Sequence, residues 1–299
     1  MATWPLEGRQ VVEIGCGKGD FLRELCLGVP CHALGIDPGF IEERLEVPEG
    51  ASLRFRQEYF DPAKVDVSPD LVICRHTLEH IGDVRRFMED IRTLVGARTD
   101  TGLFFETPDV GRVMAEGAFW DIYFEHCSYF TPGTHARLFR AAGFDVTATR
   151  LDYGDQYIIQ NARPMGAQPT PPGPAEETPE ALAALAEAFP ARVAEVMEHW
   201  RGFVRERHGA GRRVAVWGGG SKCVSFLTSL GLGPEIALVV DINPFKQGRF
   251  LPGTGTRVSS PTDLVAAPPD TVIVMNPVYL DEIGRSLAEL GLTPELVAV

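Results

Sequence analysis

The strongest constraint on the fold lies near the N-terminus, in Val11-Val12-Glu13-Ile14-Gly15-Cys16-Gly17-Lys18-Gly19-Asp20-Phe21. The apolar run Val11, Val12, Ile14 predicts a strand over 11–15 that delivers the backbone into three glycines at alternate positions. Asp20–Leu27 then reads as a helix. A glycine turn lets the main chain approach a ligand closely, beside the partly positive helix N-terminus. His32–Ile36 reads as the next strand and ends in Asp37. An acid placed roughly twenty residues beyond such a turn can take both hydroxyls of a ribose.

The pattern is E-x-G-x-G-x-G, whereas a dinucleotide-binding turn reads G-x-G-x-x-G. Glu13 would repel a pyrophosphate, but it suits the amino group and sulfonium of S-adenosylmethionine. That cofactor is therefore expected, in preference to a dinucleotide, across Glu13, Gly15, Gly17, Gly19 and Asp37. Its adenine is expected near Gln57–Phe60, beside Tyr59 and Phe60, at the end of a third strand around Leu53–Arg56.

Further strands read at Asp70–Cys74 and Gly102–Glu106, with helices at Val84–Leu94 and Thr134–Ala142 and a terminal strand pair at Phe144–Leu151 and Gln156–Ala162. Alternation of this kind predicts a parallel sheet covered on both faces, with ligands at the carboxyl ends of its strands. Six prolines between Arg163 and Glu180 mark a linker. Thr178 as N-cap and Pro179 then open a helix that Pro190 is expected to kink or split, leaving Ala191–Arg207 as an amphipathic piece. A second αβ unit follows: a strand at Arg213–Trp217, the turn Gly218-Gly219-Gly220-Ser221-Lys222, a helix opening at Val224–Ser229, and a strand at Ile236–Val240 ending in Asp241. Thr271–Met275 reads as a later strand of that sheet. Cys223 stands where the dinucleotide fingerprint has its third glycine, so a cofactor-free half and a second nucleotide site are both open readings. The fold class expected is α/β, a Rossmann-like domain over residues 1–162, a linker and connecting helix over 163–210, and a smaller Rossmann-like domain over 211–299.

A net charge of −13 argues against nucleic acid or anionic membrane as the main partner, since phosphate neutralisation needs clustered Lys and Arg. The lack of a signal-like or bilayer-spanning run leads to the expectation of a cytoplasmic protein. The six cysteines form no C-x-x-C pair and read as reduced thiols in or near cores.

Two constellations can carry chemistry. In Cys74-Arg75-His76-Thr77-Leu78-Glu79-His80-Ile81, His76 and His80 stand at i, i+4 and on a helical turn would face one cleft, His76 on the cofactor side. No third ligand is obvious beside them, so no metal is expected, and His80 can equally be a helix-capping or cleft-packing residue. The second, Trp120-Asp121-Ile122-Tyr123-Phe124-Glu125-His126-Cys127-Ser128-Tyr129-Phe130, puts a phenol, a carboxylate and an imidazole within four residues. An acid beside a histidine can orient it as a general base, although a polar helix end with core aromatics would show the same letters.

The glycine turn and Leu78-Glu79-His80-Ile81 resemble class I S-adenosylmethionine-dependent methyltransferases. Tyr123-Phe124-Glu125-His126-Cys127-Ser128-Tyr129-Phe130 is similar to the Tyr-x-Glu-His-x-x-Tyr-Phe segment of nucleotide-sugar C-methyltransferases, which methylate a 4-keto-deoxysugar at the adjacent carbon. Trp217–Lys222, Val240–Gly248 and Pro252-Gly253-Thr254 resemble the C-terminal domain of that family. The resemblance implies His126 as the base, with Glu125, Tyr123 and His80 in support, and an enolate attacking the cofactor's methyl group. It also implies a nucleotide-sugar acceptor, for which Lys222, Asn243 and Lys246 are candidates. Typical members carry a cysteine-rich zinc-binding module ahead of this domain; twelve residues precede the motif here, so a form lacking that module is expected. An O- or N-methyltransferase on another acceptor, or a non-catalytic nucleotide-binding protein, is the alternative reading.

Overall fold

A computed structural model describes residues 4–41 and 49–299. The alternation of the first half gives one seven-stranded sheet from β1 (Gln10–Ile14), β2 (His32–Ile36), β3 (Ser52–Arg56), β4 (Leu71–Arg75), β5 (Gly102–Pro108), β6 (Phe144–Asp152) and β7 (Tyr157–Pro164). The spatial order is β3-β2-β1-β4-β5-β7-β6. Strands β1 to β5 are parallel, while β7 runs antiparallel to both β5 and β6. The chain leaves β1 toward β2 on one side and returns to β4 on the other, and such a reversal opens a crevice at the carboxyl ends of the strands.

Alternation along the strands explains why both faces are covered. Val12, Ile14, Leu34, Ile36, Val72 and Cys74 pack with Met88 and Ile91 of α2 (Val84–Val95). Val11, Ala33, Leu71 and Ile73, one residue out of phase, pack with Leu22, Leu25 and Cys26 of α1 (Asp20–Gly28). Each large side chain so buried contributes about 1.5–3 kcal/mol. The helices begin where their caps dictate: Asp83 Oδ1 accepts from Arg86 N at 3.0 Å, and, beyond α3 (Val110–Glu116), Thr131 and Thr134 form a reciprocal capping box ahead of α4 (Pro132–Ala141).

His135 in that last helix is fully buried among Phe105, Phe130 and Phe139. Burial pushes its pKa from 6.5 to about 4, against a smaller opposing pull from Gln160. Because the folded pKa lies below the unfolded one, the stability this neutral ring contributes is present above pH 6.5 and lost as pH falls toward 4. The loss reaches about 3 kcal/mol. His135→Leu is accordingly expected to show a smaller drop in Tm between pH 7 and pH 4.5 than the parent chain, as thermal melts at the two pH values would read.

The second sheet is wholly parallel, in the order β10-β9-β8-β11-β12. In chain order its unit contains α5 (Pro179–Gly209, from Ala183 onward), β8 (Val214–Trp217), α6 (Ser221–Leu230), β9 (Ile236–Val240), β10 (Val258–Ser259), β11 (Thr271–Val274), α7 (Leu280–Glu289) and β12 (Glu295–Ala298). Two departures from the sequence reading stand out. Pro190 does not split α5, which runs unbroken for 31 residues. Proline there removes one helical hydrogen bond, and the carbonyl it frees belongs to Ala186, an exposed residue that water can satisfy. Thr178 does cap the helix, its Oγ1 accepting from Ala181 N at 3.2 Å.

The second departure concerns Arg112–Phe124. The chain forms two compact units, Met1–Gly111 with Glu125–Leu182, and Arg112–Phe124 with Ala183–Val299. Phe119 and Trp120 pack on Phe226 of α6, and Ser225 Oγ donates to the Phe119 carbonyl at 3.4 Å. Asp121 accepts from Arg112 at 2.6 Å and from Lys222 Nζ at 2.9 Å. These contacts build the segment into the second unit although it lies within the first 162 residues.

Among the described residues no helix is long and apolar enough to cross a membrane. The cysteines are free, five of them buried and Cys127 exposed.

Candidate active site

The glycine turn sits at the carboxyl end of β1. Gly15 has φ +76°, Gly17 φ +54° and Gly19 φ +82°, the left-handed region in which glycine alone is unstrained. Gly17 N donates to Asp37 Oδ2 at 2.9 Å, joining the turn to the acid at the end of β2. Asp37 Oδ1 also accepts from Gly39 N at 2.6 Å, so the carboxylate is fixed in place.

Glu13 is 2% exposed, and its Oε2 has no hydrogen-bond partner. Burial raises its pKa to about 8, with Asp37 and Glu106 adding to the rise and Arg75 opposing it. A buried carboxylate oxygen left unpartnered is costly, and a cationic ligand is the chemistry that would relieve it. The donor set therefore fits the ammonium-bearing, sulfonium-bearing cofactor expected from the sequence.

A folded pKa above the ordinary 4.5 means that the stability from protonated Glu13 is present at low pH and lost as pH rises through 8. Glu13→Gln should thus melt higher than the parent chain at pH 9, the gap closing by pH 5. The same change should weaken S-adenosylmethionine binding by about 10- to 100-fold, the worth of one hydrogen bond to a charged group. Calorimetry and ligand titration read the two effects separately.

At the end of β4, Arg75 and His76 both donate to Glu106 of β5, Nε to Oε2 at 2.8 Å and Nε2 to Oε1 at 3.0 Å. Burial would raise the Glu106 pKa, but these partners prevail and hold it at about 2. His76 has φ +47° and its ring meets Tyr157 at 4.6 Å. It does not share a helical turn with His80: residues Leu78–His80 form a short 3-10 turn, and His76 lies outside it. Phe60 packs edge-on to Phe87 at 5.9 Å against the core, whereas Tyr59 is 80% exposed.

The second constellation divides. Glu125 and His126 belong to the first unit, and Tyr123 to the second, where its hydroxyl donates to Asp121 Oδ1 at 3.1 Å. Cys127 N and Ser128 N donate to the Glu79 carbonyl at 2.8 and 3.1 Å, and Cys127 Sγ to the His80 carbonyl at 3.5 Å. His80 Nδ1 lies 3.0 Å from the Glu125 carbonyl oxygen. A carbonyl only accepts, so Nδ1 carries the proton and neutral His80 presents its Nε2 lone pair. The ring of His126 stands nearly perpendicular to that of His80, with centroids 5.0 Å apart, and 5.7 Å from Tyr129. Glu125 thus acts here through its main chain, while its side chain is exposed.

Sequence reasoning gave no role to Glu79, which is 2% exposed with Oε2 unpartnered. Glu79, His80 and His126 each offer a ligand atom, all within 4.8 Å of one another. The missing third donor for His80 therefore comes from its neighbour and from a residue 46 positions away, and His76 is not part of the group.

In the second unit, Lys222 pairs with Asp121, and Lys246 Nζ with Asp241 Oδ2 at 3.0 Å. Asn243 turns the chain after β9, its N donating to Asp241 Oδ1 at 2.8 Å and its Oδ1 accepting from Phe245 N at 3.0 Å. Lys246 Nζ lies 3.4 Å from where a Cβ on Gly220 would stand, which places it over the second glycine turn.

A family model described as a methyltransferase domain matches residues 1–149, and one described as a C-methyltransferase C-terminal domain matches residues 175–292. C-methyltransferase NovU of Streptomyces niveus is 28% identical over 294 residues, covering 93% of this chain and 68% of that protein. The ubiquinone biosynthesis O-methyltransferase of Aeromonas salmonicida is 29% identical over 154 residues, 46% of this chain and 63% of its own length. Among solved structures, N,N-8-amino-8-demethyl-D-riboflavin dimethyltransferase of Streptomyces davawensis aligns at TM-score 0.41 and 19% identity, over 52% of this chain and 50% of that one. Magnesium protoporphyrin IX methyltransferase of Synechocystis, with bound SAH, aligns at 0.40 and 18% over 53% and 75%. With two domain models in succession and the glycine turn at the head of this sheet order, the chain is a class I S-adenosylmethionine-dependent methyltransferase. Within that class it belongs to the C-methyltransferase type, whose C-terminal domain its second half carries.

Proposed function

We propose that the chain methylates a carbon next to the ketone of a nucleotide-linked keto-deoxysugar, with His126 as the base. The observation that carries this reading is the pair of imidazoles, His126 against His80, held at the end of β4 in the same unit as the glycine turn. S-adenosylmethionine supplies an electrophilic methyl group. Glu13 and Asp37, with the main chain of Gly15, Gly17 and Gly19, would hold it, and Tyr59, Phe60 and His76 would line its site. A carbon acid must lose a proton before it can attack that methyl, and a positioned imidazole contributes roughly 10²–10⁴-fold to such a transfer. His80, fixed as the Nδ1–H tautomer, donates to an enolate oxygen only as the imidazolium. Transfer itself then depends chiefly on alignment of carbon, methyl and sulfur.

For the acceptor's nucleotide or phosphate portion we propose Lys222, Asn243 and Lys246. An ammonium has three donors, and the pair with Asp241 takes one of those of Lys246, which supports its reaching a phosphate oxygen. A small-molecule acceptor and a cytoplasmic setting go with this reading.

The test is carbon-13 NMR with methyl-labelled S-adenosylmethionine and a panel of nucleotide-linked keto-sugars. The product's methyl shift reports the atom to which it is attached. A methyl on carbon supports the reading. A methyl on oxygen or nitrogen discards the enolate step, and no transfer to any panel member discards this acceptor class.

A further inference from the structure

We infer that Glu79, His80 and His126 form a binding site for one divalent transition-metal ion, of which zinc is the best match, and that the ion switches methyl transfer off. The second clause rests on the reading of His126 as the base; the first does not.

Three observations carry the site. Glu79, His80 and His126 bring a carboxylate oxygen and two imidazole nitrogens within 4.8 Å of one another, so a small closure of side chains would place an ion among them. Glu79 is 2% exposed, and its Oε2 has no hydrogen-bond partner. An acceptor kept dry and unpartnered is destabilising unless something cationic meets it. His80 already donates Nδ1–H to the Glu125 carbonyl at 3.0 Å, which leaves Nε2 as its ligand atom. A ring nitrogen donating to a carbonyl while the other faces the ion is how metal-bound histidines are usually oriented.

The donor set selects the ion. Two imidazoles and one carboxylate suit zinc or cobalt(II) far better than calcium or magnesium, which prefer all-oxygen shells. Three protein ligands leave the fourth position of a tetrahedral ion open. The main-chain bonds from Cys127 and Ser128 to the Glu79 carbonyl hold the His126 segment against the other two ligands, so the site is held together before the ion arrives. The consequence for the reaction is competition: the lone pair of His126 that would accept the substrate's proton is the one that would bind the ion. No bond of the acceptor or cofactor changes in that step; the ion simply replaces the proton as the partner of the imidazole.

The test uses the full chain, stripped with a chelator and titrated with cobalt(II), read by its visible absorption and by calorimetry. One ion per chain with the intense bands of tetrahedral cobalt is expected. Glu79→Gln and His126→Gln should each weaken binding by at least about 100-fold, beyond the 10- to 100-fold typical of outer-shell changes. Cys127→Ser should leave it within about threefold, which separates this site from capture by the exposed thiol. Melting temperature and S-adenosylmethionine affinity of each variant establish that it is folded, and His126→Gln, at a partly exposed position, is the variant least exposed to misfolding. Absence of stoichiometric cobalt, or unchanged binding in folded Glu79→Gln and His126→Gln, overturns the site. With the site present, chelated protein should methylate at full rate and zinc should suppress the rate in step with occupancy. A rate lost on chelation and restored by zinc would overturn the switch and, with it, the imidazole-base reading, while the cobalt stoichiometry still judges the site.

Discussion

His126→Gln should lower the rate of methyl transfer by about 10³-fold and leave the affinity for S-adenosylmethionine within about twofold. Glutamine retains a polar side chain of comparable length but has no group that takes a proton near neutral pH. The two readouts separate the reaction from the proposed cofactor site because His126 lies on the segment docked over Leu78–His80, while Glu13 and Asp37, the carboxylates proposed to hold the cofactor, stand in β1 and at the end of β2. Stopped-flow or quenched turnover measures the first, and ligand titration by calorimetry the second. A variant that loses both in parallel would mean that the segment shapes the cofactor pocket and that the imidazole is not the base. Loss of hydrogen exchange at the acceptor's carbon in heavy water, with the methyl donor left out, would isolate the proton-transfer step itself.

Gly15→Ala is the second large effect. Gly15 has φ +76°, and a Cβ there would overlap the Thr77 side chain, whose Oγ1 donates to the Arg75 carbonyl at 2.9 Å. The residue is also tied to β2 by its own N–H, which donates to the Ile36 carbonyl at 2.8 Å, so the turn cannot slide away without breaking the link between neighbouring strands. S-adenosylmethionine binding should fall by more than about 100-fold, since the backbone and Glu13 would move together, and stability should fall by more than the about 1–3 kcal/mol of a strained backbone alone, because the Thr77 overlap adds to it. Gly17→Ala is the informative comparison. Its φ is +54°, but nothing lies within 4 Å of an added Cβ. It should therefore cost only about 1–2 kcal/mol for the left-handed backbone. If the two variants lost stability equally, the Thr77 overlap would not be the cause. Thr77→Ala should not rescue Gly15→Ala, because the Cβ of residue 77 itself stands too close.

Much of the sheet could be read from the sequence because its strands are short apolar runs punctuated by glycine, proline and acid. The His32–Ile36 and Ile236–Val240 strands begin and end where the pattern places them. The turn and Asp37, twenty residues apart, meet through Gly17 N as their spacing implies. What pairing across the sheet creates was not legible. Glu106 meets Arg75 and His76 only because β4 and β5 are neighbours in register, and nothing in either segment announces the partnership. Glu79 reads as one acid in a helical turn; nothing near it announces the later segment whose Cys127 N and Ser128 N bond its carbonyl. Pro190 misled for a different reason, since a helix with its breaking point exposed tolerates the loss of one bond. The allegiance of Arg112–Phe124 to the second unit rests on aromatic packing with Phe226 and on the Asp121–Lys222 ion pair, both contacts with residues about a hundred positions later.

The segment that bears His126 is attached to Leu78–His80 largely through peptide groups: Cys127 N and Ser128 N to the Glu79 carbonyl, and the Glu125 carbonyl to His80. Peptide groups are the same whatever side chains the residues carry. Positions 125 to 128 can consequently exchange side chains without losing these three bonds, with proline at 127 or 128 the exception because it removes a donor. This separates a scaffold bonded through the main chain from the side chain proposed as base. A library randomised at 125 and 126 should stay folded in most of its members, which makes this short stretch the place to graft a different acid, base or nucleophile onto the same methyl donor.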